Sequence, residues 1–290
     1  MRGNAPAPGW YPDPGGRHED RYWDGSAWTL GISDRGVVAE DPLPLPDQAR
    51  PPPGPRPPET RPALPSGAAG LAAFGILAGS VLGLGASVEV ARLDLPTRAF
   101  RLIAGQAGLW SALLTVCLVA SRRYGTGNAW RDLAARAEWR DAGRGFVVSL
   151  IGRVGVAVLL VPLVLIDRRL VPTDLGPLAV LRDDPPALLA LGLVAILGAP
   201  LVEELFFRGL LMRSLQSAMS ARAAIAVQAG AFGLVHASPL YGLRNVSLIA
   251  TTALLGVLLG VVAERYRRLA PGMFAHGFFN LLSTLVIAFA

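Results

Sequence analysis

The chain has 290 residues, of which 52% are apolar, and a formal net charge of +6 that comes entirely from Arg, since there is no Lys. A soluble domain of this length needs far less apolar sequence for its core, so a polytopic helical membrane protein is predicted. The single cysteine, Cys117, excludes an intrachain disulfide and a cysteine-based metal cluster. Much of the Arg lies between apolar runs, which indicates membrane topology rather than nucleic-acid binding, and no nucleic-acid partner is expected.

The first 66 residues are rich in Pro, Gly, Trp and charge, and they differ from the apolar remainder. Residues 8–36 hold three Trp and two Tyr, and Asp24-Gly25 predicts a hairpin between short aromatic strands. We therefore expect a small aromatic β module at 8–36. Residues 37–66 are rich in Pro, which removes amide donors, and a Pro-rich disordered linker is expected there. The polar start of the chain lacks an apolar h-region, so no signal peptide is expected.

Apolar segments then continue to the end of the chain, within a predicted transmembrane domain at 67–290. About 20 residues at a rise of ~1.5 Å cover the ~30 Å hydrocarbon layer. Seven candidate spans fit this length: 68–90, 99–120, 145–166, 187–212, 222–238, 246–264 and 269–289. The fifth is the shortest and ends at Ser238-Pro239. The predicted fold class is an all-α polytopic transmembrane helix bundle of about seven spans, with the small N-terminal β module attached through the Pro-rich linker.

The segment 121–144 holds six Arg against three acidic residues. The positive-inside rule places such a segment in the cytoplasm. Counting back two spans puts the N-terminus in the cytoplasm as well, and counting forward puts the C-terminus outside. We expect a multi-pass protein of the cell membrane with the lipid bilayer around it.

The fourth span contains "GAPLVEELFFRG", in which Glu203, Glu204 and Arg208 need partners or a wet cavity inside the membrane. On a helix, Glu204 and Arg208 lie one turn apart on one face, whereas Glu203 is displaced by about 100°. The spacing predicts an ion pair between Glu204 and Arg208 and leaves Glu203 as a free carboxylate. Pro200 cannot donate its amide hydrogen bond, which predicts a kink just before the acidic pair.

Two of the three histidines fall in late apolar spans, His236 one turn after Phe232 and His276 one turn before Asn280. A single such histidine is more typical of a packed, hydrogen-bonded group than of a ligand. Together with Glu203 they favour a convergent hydrolytic site, in which a carboxylate deprotonates water while His and Asn stabilise an oxyanion. Alternatively, a glutamate and two histidines could hold Zn²⁺, and both schemes stay open.

The ordered set Glu203-Glu204-x-x-x-Arg208, Phe232-x-x-x-His236 and His276-x-x-x-Asn280 resembles the three motifs of the CAAX-protease and bacteriocin-processing (CPBP, or Abi) family of intramembrane proteases. The resemblance covers about residues 186–289. It implies an intramembrane endopeptidase with a cavity open to the cytoplasmic side. The implied substrate is a membrane-associated or prenylated-type peptide or protein.

The resemblance also implies a role for each matched residue. Glu203 is the implied water-activating carboxylate, His236 its partner on the water, and Glu204 the orienting partner of Arg208. His276 and Asn280 are the implied oxyanion donors. A zinc-dependent mechanism would use Glu203, His236 and His276 as metal ligands, and a metal-free mechanism is equally compatible with these residues.

The N-terminal "GWYPDPGG…RYWDGSAWT" resembles a short domain of unknown function found in membrane proteins of high-GC bacteria. Its clustered aromatic residues suit the binding of a Pro-rich segment, so a protein partner is expected for this module. Two other functions remain as alternatives for the membrane part. One is a proton- or ion-coupled carrier, in which the same Glu and His residues form a relay. The other is a non-catalytic membrane scaffold.

Overall fold

The computed structural model describes residues 6–34, 37–42, 64–92, 98–171 and 179–289. The chain divides into two compact units, Met1–Thr60 and Arg61–Ala290. Most of the predicted Pro-rich linker, residues 43–63, lies outside the described residues. The two units are described separately below.

The first unit contains a four-stranded antiparallel sheet in the order β1-β2-β3-β4. Its strands are β1 (Gly9–Pro12), β2 (Asp20–Trp23), β3 (Trp28–Asp34) and β4 (Val37–Glu40). The predicted hairpin at Asp24-Gly25 is confirmed, because β2 and β3 pair antiparallel and Gly25 has a φ of +102°. The sheet extends past residue 36, where the module was predicted to end. Val37 and Val38 are β-branched and favour a strand, although they stand directly before the Pro-rich stretch.

The centre of this module contains a buried ion-pair network beside its aromatic residues. The Arg21 side chain is 1% exposed, and its guanidinium donates to Asp13 at 2.8 Å and to Asp41 at 2.5 Å. Trp23 is also buried and packs edge-on against Trp28. The predicted aromatic β module is therefore present. Its Arg21 side chain also connects Asp13, in the loop after β1, to Asp41, the residue after β4.

The second unit is helical. Its helices are α1 (Gly67–Arg92), α2 (Arg98–Tyr124), α3 (Ala129–Asp132), α4 (Asp141–Ile166), α5 (Ala179–Arg182), α6 (Pro185–Leu215), α7 (Ala221–Leu234), α8 (Asn245–Tyr266) and α9 (Ala270–Phe289). Within the described residues, six of them are long and apolar enough to cross a membrane, namely α1, α2, α4, α6, α8 and α9. The predicted all-α transmembrane bundle with an N-terminal β module is confirmed.

The predicted fifth span, 222–238, is not a single helix. Helix α7 has 14 residues and so covers only about 21 Å. Residues 235–238 are irregular and lead into a 3₁₀ segment, Pro239–Arg244. That segment contacts the 3₁₀ turn Arg168–Leu170, which follows α4. The chain therefore crosses the bundle here as a short helix followed by residues that are not α-helical. Hydropathy alone does not distinguish this arrangement from a short transmembrane helix.

The bundle has two chemically different ends. At one end, Arg268 binds Asp141 at 2.8 Å, Arg213 donates to the Asp132 carbonyl, and the Leu269 amide donates to Ala134. This end, formed by residues 121–144, 213–222 and 264–270, is called the Arg-rich end. At the other end, called the opposite end, Arg98 binds Asp184 at 3.2 Å and the two 3₁₀ segments meet.

Candidate active site

Helix α6 carries the acidic pair and is wound in an unusual way. It contains two π-helical stretches, Leu193–Gly198 and Glu204–Met212, on either side of an α-helical turn with Pro200. Wider π turns are frequent at functional sites. The sequence predicts a kink just before the acidic pair, whereas the structure shows a change between α-helical and π-helical winding on both sides of Pro200.

Asn280 on α9 satisfies a backbone group that this winding leaves free. The Ala199 amide donates to Val194, five residues back, and Pro200 has no N–H. The Ala195 carbonyl therefore lacks these two helical donors, and the Asn280 side-chain amide donates to it at 2.7 Å. Asn280 is consequently fixed by α6, with part of its amide committed to a structural bond.

The ion pair predicted between Glu204 and Arg208 is present, and both side chains are fully buried. The guanidinium donates to Glu204 Oε1 at 3.0 Å and to the Gly256 carbonyl on α8 at 3.3 Å. It also lies 4.4 Å from the centroid of the Phe232 ring, a favourable cation–π distance. These contacts join α6, α7 and α8 at the level of the acidic pair.

His276 lies between the two glutamates. Its Nδ1 is 3.3 Å from Glu204 Oε1, and its Nε2 is 4.0 Å from Glu203 Oε2. An ionised carboxylate only accepts hydrogen bonds, so the Nδ1 proton belongs to the contact with Glu204. His276 therefore links the buried ion pair to Glu203, a connection that the sequence spacing alone does not indicate.

His236 follows the end of α7, and its orientation is set by the backbone. Its Nδ1 lies 2.6 Å from the Phe232 carbonyl oxygen, one turn earlier. A carbonyl only accepts, so Nδ1 carries the proton and Nε2 is the acceptor in the neutral ring. The Phe232 ring contacts both histidines, at centroid distances of 4.6 Å to His236 and 5.9 Å to His276. Straight helices of equal length would hold the two histidines at different depths in the membrane. In this structure both histidines contact the same aromatic ring.

Glu203 and His236 both line two adjoining cavities. One cavity, of about 590 Å³, lies between the α1–α2 hairpin and residues 235–238. The other, of about 350 Å³, is bordered by α6, α8 and α9 and also reaches His276 and Asn280. Glu203 is 9% exposed, and its Oε2 has no hydrogen-bond partner within the described residues. The Glu203 side chain therefore borders the space that a small polar molecule in either cavity would occupy.

Three polar side chains near this site were not assigned to it from the sequence. Gln106 on α2 lines both cavities. Gln228 is buried and donates to the Gly256 carbonyl at 2.9 Å, beside Arg208. Arg153 on α4 donates to the Phe279 carbonyl and to Ser283. A lone amide in an apolar span carries no motif, so only the fold reveals these neighbours.

The residues were also tested as a metal site. Among the described residues, no group of three or more His, Cys, Asp or Glu side chains is arranged to hold a metal ion. Glu204 and His276 are engaged with each other, and Glu204 also binds Arg208. Glu203, His236 and His276, which a zinc-dependent mechanism would use as ligands, are therefore not arranged as a metal site in the described part of the chain.

A bundle of apolar helices around buried carboxylates and histidines defines a multi-pass membrane protein with an enclosed polar site. Residues 185–282 match the family described as type II CAAX prenyl endopeptidase Rce1-like. Residues 8–59 match a family described as a protein of unknown function, DUF2510. Both resemblances drawn from the sequence are confirmed, and the first match implies a protease. Searches of curated proteins and of solved structures found no significant match.

Proposed function

We propose that the transmembrane unit is an intramembrane endopeptidase in which Glu203 activates water to hydrolyse a peptide bond. One observation carries the proposal: the Glu203 side chain lines both cavities, together with His236. Glu204 and Arg208 neutralise each other nearby, so Glu203 is the acidic group left for chemistry. The family match over residues 185–282 supports the same reaction class.

The attacking water is held by two acceptors. It donates one hydrogen to the Glu203 carboxylate and the other to His236 Nε2, which leaves an oxygen lone pair directed at the substrate carbonyl. Glu203 takes the proton as the new C–O bond forms, acting as a general base, a role typically worth ~10²–10⁴ in rate. The Phe232 carbonyl keeps His236 in the tautomer that this step needs.

The tetrahedral intermediate then collapses as its C–N bond breaks. Protonated Glu203 returns the proton to the departing amine nitrogen, so the first products are a carboxylic acid and an amine, which become a carboxylate and an ammonium ion when the acid proton is transferred. Asn280 and His276 line the smaller cavity and are the proposed oxyanion donors. Because the His276 Nδ1 proton is directed at Glu204, His276 donates to the oxyanion only when Nε2 is protonated as well.

Gln106 is proposed to bind the substrate backbone. Its amide supplies both a donor and an acceptor at the junction of the two cavities. The larger cavity is otherwise lined by His236, Phe207 and a set of Gly, Ser and aliphatic residues, and Glu203 is the only acidic group among the described residues that line it. An uncharged, extended segment of a membrane-associated or lipid-modified peptide or protein suits such a lining.

The proposal is tested by incubating the purified full chain in detergent with a set of uncharged and prenylated peptides and following cleavage by mass spectrometry. Glu203→Gln and His236→Ala are expected to slow cleavage by at least about 100-fold. Glu264→Gln is the matched control, because Glu264 lies at the Arg-rich end, where it accepts from Gln216 and Arg267. Equal rates for the wild type and Glu203→Gln would contradict the assignment of Glu203.

A further inference from the structure

The two cavities extend from the middle of the bundle toward the opposite end. The larger is bordered by Ser87, in the last turns of α1, and by Gly105, near the start of α2. The smaller reaches Leu191, near the start of α6, and Ile287, near the end of α9. Both of these helix termini also belong to the opposite end. The space next to Glu203 therefore extends away from the Arg-rich end.

On the other side of the acidic pair, the bundle is filled by apolar side chains. Leu133, Leu210, Met212 and Leu269 are almost fully buried and belong to one continuous core. Beyond them lie the ion pairs of Arg268 with Asp141 and Glu138. A substrate approaching from the Arg-rich end would have to displace this packed layer.

The irregular backbone at 235–238 agrees with water in the larger cavity. Non-helical backbone at membrane depth is tolerated where it is buried in protein or lines a water-filled space. Residues Val235, His236, Ala237 and Ser238 all line the larger cavity. Asn245 fixes this segment by donating to the Ser238 carbonyl at 2.8 Å and accepting from the Ser238 amide at 2.9 Å.

We infer that substrate and water reach Glu203 from the membrane face opposite the Arg-rich end. Arginines are concentrated in cytoplasmic segments of membrane proteins, so this face is the extracytoplasmic one. The resemblance implies a cavity that opens to the cytoplasm. In this structure the cavities extend away from the Arg-rich segment 121–144, which the positive-inside rule places in the cytoplasm, so the two expectations cannot both hold. The substrate is then an uncharged segment presented in the outer half of the bilayer. The part of this inference that concerns substrate cleavage rests on the proposed function.

The access route is tested by labelling single cysteines in cells that express the full chain. Cys117→Ala removes the sole native thiol, and Ser80→Cys and Ser87→Cys place thiols in the larger cavity. Ser217→Cys marks the Arg-rich end, where Ser217 is exposed. Val158→Cys is the lipid-facing control, because Val158 is 66% exposed on the apolar helix α4. A charged, membrane-impermeant maleimide is applied to intact cells and, separately, to inverted vesicles.

In intact cells, the reagent is expected to modify Ser80→Cys and Ser87→Cys but not Ser217→Cys, which reacts in inverted vesicles. Val158→Cys is expected to stay unmodified in both preparations. Modification of the cavity cysteines from the cytoplasmic face alone, or from neither face, would overturn the inference. Labelling requires no catalysis, so a chain that labels as expected but cleaves no peptide would refute the proposed function and leave the accessible face established.

A second readout ties the accessible face to the substrate. Attachment of the reagent at Ser80→Cys is expected to lower peptide cleavage by at least tenfold, because the adduct fills the larger cavity. The same treatment of Ser217→Cys is expected to leave cleavage unchanged. If the modified Ser80→Cys chain cleaves at the unmodified rate, the larger cavity is not the substrate route.

Discussion

Glu203 and Glu204 are adjacent, identical residues with different surroundings. Glu204 is fully buried against Arg208 and His276, whereas Glu203 lines both cavities, and its Oε2 has no hydrogen-bond partner among the described residues. The roughly 100° between successive helical positions is enough to predict that the two carboxylates face different ways. The placement of His276 between them depends on how α9 packs against α6, and no spacing in the sequence encodes it.

The buried ion pair is expected to support stability more than chemistry. Arg208→Leu leaves Glu204 buried without its cation, and removal of one partner of a buried pair typically costs about 3–5 kcal/mol. The combined Arg208→Leu and Glu204→Leu chain is expected to recover part of this loss. Thermal unfolding in detergent checks both changes. Arg92→Leu, which removes an exposed pair with Glu89, is the matched control and is expected to change little. Equal melting temperatures for Arg208→Leu and Arg92→Leu would contradict this account.

Gln106 allows a separate test of substrate binding. Gln106→Leu keeps the size of the side chain and removes the amide, so KM is expected to rise about tenfold with a small effect on kcat, as the loss of roughly 1.4 kcal/mol of hydrogen bonding predicts. Steady-state cleavage kinetics measure the two constants. Ser111→Ala, an exposed position on the same helix, is the control. A fall in kcat at constant KM would place Gln106 in the chemical step instead.

At the scale of whole elements, the long helices follow from apolar length alone. Helix α7 does not, because a short helix followed by irregular residues has the same hydropathy as a short span. The π-helical stretches of α6 are also hidden in the sequence, where Pro200 indicates an irregularity but not its form. The β4 strand was missed because its two valines directly precede a Pro-rich stretch.

Close packing of α4 against α9 depends on one glycine. A Cβ at Gly145 would lie 2.7 Å from the Ala275 backbone nitrogen, whereas one at Gly143 would have no described atom within 4 Å. Gly145→Ala is therefore expected to lower stability by about 1–3 kcal/mol, as overpacking does. Gly143→Ala, two residues away on the same helix, is expected to be neutral or slightly stabilising. Thermal unfolding of the two chains provides the comparison, and equal stability would show that the two helices separate easily.

The N-terminal module is expected to unfold in acid. Burial of Asp13 opposes its ionisation, but hydrogen bonds from Arg21 and nearby amides outweigh this and hold the pKa of its carboxyl below the ordinary value of 3.8. A lowered folded-state pKa gives stability that is complete above the unfolded value and is lost as the pH falls through the folded value. Near-UV circular dichroism of the full chain, minus that of a chain lacking residues 1–60, is expected to lose the module's signal progressively as the pH falls below 3.8. A difference signal unchanged at pH 2 would contradict this.

At the scale of the whole molecule, the proposed site lies entirely within one unit, Arg61–Ala290. Deletion of residues 1–60 is therefore expected to leave the rate of peptide cleavage within about twofold of the full chain. The deletion must stop before Leu64, which is buried in the core of the transmembrane unit. Loss of cleavage in a chain that is still folded would assign the N-terminal module a direct part in catalysis.

The sequence predicts the helical bundle and the β module, because hydropathy and turn signals are local properties, and its motifs supply the candidate residues of the proposed site. No local pattern in the sequence specifies which helices enclose the cavities. Ser87 and Gly105 lie in the first two helices, far from the motifs in the chain, and only packing brings their helices against Glu203 and His236. Access to the site is consequently a property of the assembled bundle.

The central claim is that Glu203 and His236 act on one water molecule. It is tested most directly by a double-mutant cycle of cleavage rates for the wild type, Glu203→Gln, His236→Ala and the combined chain. Residues that act as a unit are strongly non-additive, so the combined chain is expected to be no more than a few-fold slower than the slower single variant. If the two losses multiply instead, the residues act independently, and the shared-water mechanism is wrong.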